Sequence, residues 1–308
     1  MIIKNLDLGQ LKQSIEADFC ENEPLARHNW YKTGGSADLL VYPHNQKSLK
    51  KLIALIKREK INFTIIGDGA NLLVSDFGFR GIVIKLKRYF NQIKLKDLQL
   101  EAGAGALLDE IISFCVNKGL GGLEYLSGIP GTIGGALIMN AGTDNGVISD
   151  MLIHVRCIDE DNQFIQIGNK DITFAYRSAP ELKDKVILSA CFELKKNSVK
   201  ALKKIRDDRL ICRRNNQPLE FPSCGSVFKR PVGHYASKLI DELGLKGYRY
   251  KNAMVSKKHA GFIVNLGGAT SSDILRVMKE VQKRVYEEVG IKLEPEVKFI
   301  GFTAQEIL

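Results

Sequence analysis

No Cys-x-x-Cys pair, no Gly-Lys-Ser/Thr phosphate loop, no Gly-x-Gly-x-x-Gly fingerprint and no Gly-x-Ser-x-Gly elbow occurs in the 308 residues. Each absence argues against a class of protein. The six cysteines, Cys20, Cys115, Cys157, Cys191, Cys212 and Cys224, are scattered without Cys-x-x-Cys pairs, so neither a metal site nor a disulfide framework is expected. Several sit in apolar runs and read as buried thiols; only Cys224, beside Gly225-Ser226, has suggestive neighbours. Any nucleotide loop here belongs to neither the Walker nor the Rossmann type, and a serine hydrolase is poorly supported. No apolar run approaches the roughly 20 residues of a membrane span. The start, Met-Ile-Ile-Lys-Asn-Leu-Asp-Leu, lacks the charge, apolar core and small-residue cleavage site of a leader. A cytoplasmic protein without a membrane partner is the expectation. Internal repeats and low-complexity tracts are absent too.

Acidic residues fall short of basic ones, leaving a net charge of +10. That excess invites a nucleic-acid reading, but the basic residues are dispersed. Lys47, Lys50, Lys51, Lys57, Arg58 and Lys60 alternate with Leu49, Leu52, Ile53 and Ile56 at helical spacing, the pattern of an amphipathic helix's wet face. Zinc-finger spacing and aromatic-studded basic strands are missing, so nucleic acid is not the expected partner. A positive field equally suits small polyanions such as dinucleotides.

What the chain does have is glycine in unusual places. Tyr125 to Gly142 holds five glycines and one proline in eighteen residues, yet is too apolar for a flexible linker. Glycine costs backbone entropy, so its use in a core-like segment implies unusual φ angles or close backbone approach. Bare N–H groups there can form an anion-binding nest; a glycine-rich turn between core strands is the plainer alternative. A second cluster, Ile65-Ile-Gly-Asp-Gly-Ala-Asn-Leu-Leu-Val-Ser-Asp76, follows the apolar run Phe63 to Ile66. Gly67 and Gly69 allow a tight turn there, and Asn71 tolerates left-handed backbone.

Residues 30 to about 198 read as alternating strands and helices. Strands are expected at 38–42, 63–66, 81–86, 98–102, 152–159 and 164–167. Leu107, Leu108, Ile111, Ile112, Cys115 and Val116 mark a helix ending at Gly119. Residues 195–216 read as a connecting helix with Leu202, Ile205, Leu210 and Ile211 as its stripe. Beyond Pro218, helices are expected at 237–243 and 271–290, the latter capped by Ser271 or Ser272 and stopped by Gly290. Strands are expected at 261–265 and 293–302.

Three residues could do chemistry. Arg177, framed by Phe174-Ala-Tyr176 and Ser178-Ala-Pro180, could offer a bidentate fork to a carboxylate or phosphate. Ser226 follows Gly225, which lets a hydroxyl approach a ligand. Glu296 follows a proline at the start of the last expected strand, where burial would raise its pKa and let it donate a proton. Alone, each is equally an ordinary surface arginine, turn serine or strand-edge glutamate.

Together these stretches resemble a known family. Gly67 to Asp76, Ser127 to Gly142, Ala175-Tyr-Arg-Ser178, Gly225-Ser-Val-Phe-Lys-Arg-Pro231 and Leu293-Glu-Pro-Glu-Val-Lys-Phe-Ile-Gly301 are similar, in the same order, to the UDP-N-acetylenolpyruvoylglucosamine reductases (MurB), over about residues 25–301. The resemblance implies an α+β fold: a two-lobed FAD-binding domain of the vanillyl-alcohol-oxidase (PCMH) type plus a smaller C-terminal α+β substrate-binding domain. The lobes would span 1–85 and 86–200, the substrate domain 201–300 and a tail 301–308.

The implied activity is NADPH-dependent reduction of UDP-N-acetylglucosamine enolpyruvate to UDP-N-acetylmuramate for peptidoglycan, by a monomer acting on small-molecule substrates. FAD, bound without a covalent link, would contact Gly67, Asp68, Gly69, Ala70, Asn71 and Leu72, with the pyrophosphate near this loop. Further contacts would come from Ser127, Gly128, Pro130, Gly131, Thr132, Gly134, Gly135, Asn140, Ala141 and Gly142. Arg177 and Glu296 would stabilise the enolate and Ser226 donate the proton, while Lys229, Arg230, Lys246, His259 and Asn265 would line the substrate pocket. Asp68 and Ala70 replace frequent Gly and Ser, and Lys251-Asn252 a Gly-Gly pair. No inserted tyrosine-bearing loop is present, which matches the compact second type. An FAD enzyme of different chemistry, or a nucleotide-binding protein without catalysis, would share the glycine loops.

Overall fold

The computed structural model describes residues 8–307; residues 1–7, and with them most of the stretch read for a leader, lie outside it, as does Leu308. The chain forms two compact units, each discontinuous in sequence. One takes the described chain up to Glu21, then Leu39–Asp68 and Gly81–Cys212; the other takes Asn22–Asp38, Gly69–Arg80 and everything from Arg213 on.

The first unit is built on two sheets. In the four-stranded one the order is Ala17–Pro24, Ser36–Pro43, Phe79–Lys85, Phe63–Ile66. Phe63–Ile66 runs parallel to Phe79–Lys85, with Ile66 opposite Lys85, so the chain leaving Ile66 starts its glycine loop beside Lys85. The helix Gln46–Arg58 buries Leu49, Leu52, Ile53 and Ile56 and leaves Lys47, Lys51, Lys57 and Arg58 exposed, as its periodicity requires. Asn45 caps it, its Oδ1 accepting from the Ser48 N–H at 2.9 Å.

The second sheet is antiparallel, in the order Phe164–Gly168, Leu152–Ile158, Val186–Glu193, Gln99–Gly103, Ile93–Lys96. Its central strand, Val186–Glu193, is buried from Val186 to Phe192, and its continuous apolar run carries no alternation to mark it. The sequence reading passes over it. The same holds for Ala17–Pro24, whose alternation is lost in the consecutive polar residues Glu21, Asn22 and Glu23. A short helix, Ile133–Ile138, also appears inside the glycine segment, where two glycines hide any helical signal.

The second unit has the antiparallel sheet Arg249–Tyr250, Ala253–Val255, Ile263–Asn265, and the helices Ala236–Glu242 and Ser271–Val289. Ile274, Val277, Met278, Val281 and Val285 of the long helix are buried as expected, in a core with Ala253, Val255, Leu293 and Val297. Its cap is Thr270 rather than Ser271 or Ser272. Thr270 Oγ1 accepts from the Asp273 N–H while Asp273 Oδ2 accepts from the Thr270 N–H, each at 3.1 Å. Gly290 closes the helix at φ +69°. Lys251 takes φ +48° in the two-residue turn before Ala253, so a lysine adopts the left-handed backbone that a glycine would take more readily.

Two further expectations need correcting. The helix near 195–216 begins at Val199, and Ile205 and Ile211 are exposed; only Leu202 of its stripe is buried. Residues 293–302 are not one strand. Pro295 has no N–H to give and forms an isolated bridge with Phe228, and only Lys298–Ile300 is a strand, in parallel with Leu72–Val74.

Asp76 ties the end of the first glycine cluster to the long helix. Its carboxylate accepts from the Ser271 N–H (2.8 Å), the Ser272 N–H (2.9 Å) and the Ser272 hydroxyl (2.6 Å). A carboxylate at a helix N-terminus satisfies orphan donors and complements the dipole. Asp76→Ala is expected to lower unfolding stability by about 1–2 kcal/mol, read from urea melts; an unchanged midpoint would deny the cap its role.

Candidate active site

In the first unit the two glycine segments meet. A Cβ on Gly67 would stand 2.4 Å from Thr132 Oγ1, so any larger residue would push the loops apart. Thr132 is buried, bridges to Leu107 and caps the short helix. Backbone bonds from Leu108 N to Gly131 O (3.0 Å), Ile133 N to Ala106 O (2.9 Å) and Gly134 N to Ala104 O (2.9 Å) lay the segment on residues 104–108.

The segment's glycines do different work. Gly134 and Gly142 have neighbours where a side chain would go, Ala104 and Val147 respectively, and are packing glycines. Gly131, at φ +134°, has nothing within 4 Å of that position, and Gly135 has only Thr132 Oγ1. Those two expose bare backbone. Beyond them Asn140, at φ +38°, is buried; its Oδ1 has no hydrogen-bond partner among the described residues. Exposed main chain beside an unpartnered buried acceptor suits a cofactor carrying phosphate oxygens and N–H donors of its own. Ser127 is buried and donates to the Glu124 carbonyl at 2.5 Å. Gly128, at φ +78°, and Pro130 shape the approach to Gly131, and Ala141 is buried behind it.

Asp68 does not stand as a bare charge. Its carboxylate pairs with Lys87 Nζ at 2.5 Å. Lys85 lies nearby, 7% exposed; burial pulls its ammonium down to about 8, against the opposing pull of Asp68. The sequence reading gives Lys85 and Lys87 no role, although a lysine ending the buried run Ile82 to Ile84 is itself a signal.

Arg177 occupies the two-residue turn between Ala175 and Ser178, which exchange backbone bonds of 3.0 and 3.2 Å. Its φ of +56° is uncommon for a residue with a side chain, and such strain clusters at functional sites. The guanidinium lies over the Tyr176 ring, 5.2 Å from its centroid. Asn140 Nδ2 donates to the Ala175 carbonyl at 3.3 Å, so the glycine segment braces this turn.

In the second unit the stretch that carries Ser226 pairs with the stretch that carries Glu296. The Glu296 N–H donates to the Val227 carbonyl at 2.7 Å, the Lys229 N–H to the Glu294 carbonyl at 2.8 Å, and Phe228 bridges Pro295. On its other side Ser226 bridges Phe262. Ser226 is exposed, Glu296 half-buried, and Gly225 has open space where a side chain would stand. Gly69 to Leu72 is fastened to the same strands. Asn71 Nδ2 donates to the Glu296 carbonyl (3.1 Å), and the Cys224 thiol donates to the Leu72 carbonyl (3.2 Å). Burial pushes that thiol up to about 12, so it stays a neutral donor. Gly69 has φ +77°, and a Cβ there would meet the His28 carbonyl at 2.1 Å. Ala70 lies between these anchors.

The five residues expected to contact substrate have distinct surroundings. Lys229 pairs with Glu294 (3.1 Å) and Lys246 with Asp241 (2.6 Å), while Arg230 lies over Tyr235, 4.4 Å from the ring centroid. Asn265 is a buried pin. Its Nδ2 donates to the Tyr31 carbonyl (2.9 Å), and its Oδ1 accepts from the Gly267 (2.9 Å) and Ala269 (3.0 Å) N–H groups.

His259 Nδ1 accepts from the Gly261 N–H at 3.1 Å, which puts the proton of the neutral ring on Nε2. Burial chiefly, and then the charge of Lys246, holds its pKa below the ordinary 6.5. The unfolded chain therefore takes up this proton more readily than the native one, and the stabilisation is lost as pH falls through about 6.5. Denaturant melts from pH 8 to 5 are expected to show a shallower fall for His259→Asn than for wild type; parallel curves would contradict it.

Residues 37–168 match the FAD binding domain family. With the α+β architecture, this makes the chain an FAD-binding protein of the vanillyl-alcohol-oxidase fold class. Residues 217–300 match the family of the UDP-N-acetylenolpyruvoylglucosamine reductase C-terminal domain. Over 296 residues the chain is 43% identical to the UDP-N-acetylenolpyruvoylglucosamine reductase of Caldanaerobacter subterraneus, covering 96% of this chain and 98% of that one. It is 41% identical to that of Clostridioides difficile, covering 94% of each. The crystal structure of the Thermus caldophilus reductase superposes with TM-score 0.79 at 33% identity, covering 92% of this chain and 98% of that one. The chain belongs to the UDP-N-acetylenolpyruvoylglucosamine reductase family of oxidoreductases.

Proposed function

We propose that this chain reduces UDP-N-acetylglucosamine enolpyruvate to UDP-N-acetylmuramate, a step of peptidoglycan precursor synthesis, with non-covalent FAD and NADPH as reductant. The observation that carries the reading is that the stretch bearing the exposed Ser226 is joined to the stretch bearing Glu296, by the 2.7 Å bond from the Glu296 N–H to the Val227 carbonyl. Arg177 on its braced turn completes the set of residue types that the chemistry needs.

Bound FAD supplies the hydride that the terminal carbon of the enol ether accepts. The protein's residues handle the charge and the proton. As hydride arrives, negative charge spreads into the substrate carboxylate. The Arg177 guanidinium grips that carboxylate, and Glu296, retaining its proton, donates a hydrogen bond to it. Both interactions strengthen as the charge grows, which is where catalysis gains most. The Ser226 hydroxyl then gives its proton to the carbon bearing the carboxylate. Hydride and proton together saturate the double bond, leaving a lactyl ether.

The Gly67–Leu72 loop and the 127–142 segment hold the cofactor, with Gly131, Gly135 and Asn140 Oδ1 as the faces turned to it. NADPH and the sugar nucleotide use one face in turn, so double-displacement kinetics are expected. The positive field serves these polyanionic ligands, and the enzyme works as a cytoplasmic monomer without nucleic-acid partners. No helix among the described residues is long and apolar enough to cross a membrane. A yellow purified protein whose NADPH consumption depends on the enolpyruvyl sugar is the expected result. Flavin-bearing protein that consumes NADPH at one rate with or without that sugar would point to other chemistry.

A further inference from the structure

We propose that Asn140 is a positioning residue for Arg177: its side-chain amide passes the order that bound FAD gives the 127–142 segment on to the turn that aims the guanidinium. The inference rests on the reading above that gives this segment to the cofactor.

Asn140 is kept against local stability. It is 6% exposed, takes φ +38°, and its Oδ1 has no hydrogen-bond partner among the described residues. Left-handed backbone disfavours a residue with a side chain, asparagine less than most, and a buried acceptor without a donor forfeits its hydration. Glycine would take that angle freely, so the amide has another use. Its Nδ2 donates to the Ala175 carbonyl at 3.3 Å. A carbonyl only accepts, which fixes the amide with its nitrogen toward Ala175.

That carbonyl closes the Arg177 turn, since it also accepts from the Ser178 N–H at 3.2 Å. Arg177 sits between them at φ +56°, a backbone angle that surrounding structure has to hold in place. The other end of the connection is equally fixed. The Asn140 N–H donates to the Leu137 carbonyl (3.0 Å) and the Ala141 N–H to the Ala136 carbonyl (2.8 Å), closing the helix Ile133–Ile138. This helix contains Gly135 and follows Gly131, the residues whose open backbone the reading gives to the cofactor. A ligand held there steadies the helix, and the helix end carries Asn140 and the Ala175 carbonyl with it. The aim of the guanidinium matters because a misplacement of about 1 Å can slow a reaction about 10²-fold.

Asn140→Gly removes the amide while suiting the backbone angle. Full-length protein, flavin-free and FAD-saturated, is compared by hydrogen–deuterium exchange of peptides spanning residues 174–180. In wild type FAD is expected to slow exchange of the Ser178 N–H about 5-fold or more, the low end of coupling between sites, and in Asn140→Gly less than about 2-fold. Equal protection in both proteins would overturn the proposal.

Stopped-flow absorbance supplies the second readout. Asn140→Gly is expected to slow flavin reoxidation by the enolpyruvyl sugar about 10- to 100-fold, with reduction by NADPH near the wild-type rate. In an Arg177→Gly background, which lacks the guanidinium, the same substitution should slow reoxidation no further, because residues that act through one another are not additive. Additive slowing would mean that Asn140 acts apart from Arg177 and would overturn the proposal.

Should Asn140→Gly not fold, Asn140→Asp keeps the shape and loses the donor, and the same losses are expected; wild-type exchange and rates in it would count against the proposal. Wild-type protein alone also decides, since bound FAD that leaves exchange at residues 174–180 unchanged overturns the coupling. A wild-type protein that binds no FAD would instead overturn the placing of the cofactor, a distinguishable outcome.

Discussion

Ser226→Ala is expected to leave reduction of the bound flavin by NADPH near the wild-type rate and to slow its reoxidation by the enolpyruvyl sugar about 10²–10⁴-fold, the usual span for a lost general acid. The asymmetry follows from chemistry. Taking hydride from NADPH needs no proton at substrate carbon; quenching the enolate does. Local structure argues that the substitution is otherwise mild. Ser226 is exposed, and its place is fixed by flanking backbone, through the bridge to Phe262 and the Val227 N–H bond to Gly261. An alanine keeps all of that. Stopped-flow absorbance of the two half-reactions separates the outcomes, and equal slowing of both would remove the serine from proton transfer.

Glu296→Gln is expected to lower kcat about 10²–10³-fold, the cost of one charge-stabilising donor, while FAD stays bound. Glutamine keeps the shape and can donate an N–H, but it donates far more weakly than a carboxylic acid to a carboxylate gaining charge. Retention of FAD is expected because Asn71 meets the main-chain carbonyl of Glu296, not its side chain. A kcat within twofold of wild type would dismiss Glu296 from the mechanism. Loss of flavin with intact folding would reassign it to cofactor binding.

Sequence legibility followed the kind of signal each element carries. Phe63–Ile66 lies where the apolar run before the first glycine loop puts it, and Ser271–Val289 follows a stripe of period 3.6 with a glycine stop. Val186–Glu193 escaped because a strand packed on both faces has no alternation. Residues 293–302 misled because a run of strand-forming residues hides what Pro295 withholds from a ladder. For the site, glycine spacing marked both loops but could not sort Gly131, open to a ligand, from Gly134, packed on Ala104. Nor could sequence pair Asp68 with Lys87, since that bond depends on how the chain turns after Lys85. Asn265, a match to a pocket position, proves to spend its amide on main chain, a fact of geometry alone.

The most direct measurement mixes anaerobically NADPH-reduced protein with UDP-N-acetylglucosamine enolpyruvate and follows the flavin absorbance. The expected result is full return of the oxidised spectrum by one equivalent of the sugar, with UDP-N-acetylmuramate formed in equal amount. A flavin that stays reduced until oxygen is admitted would contradict the proposed reaction.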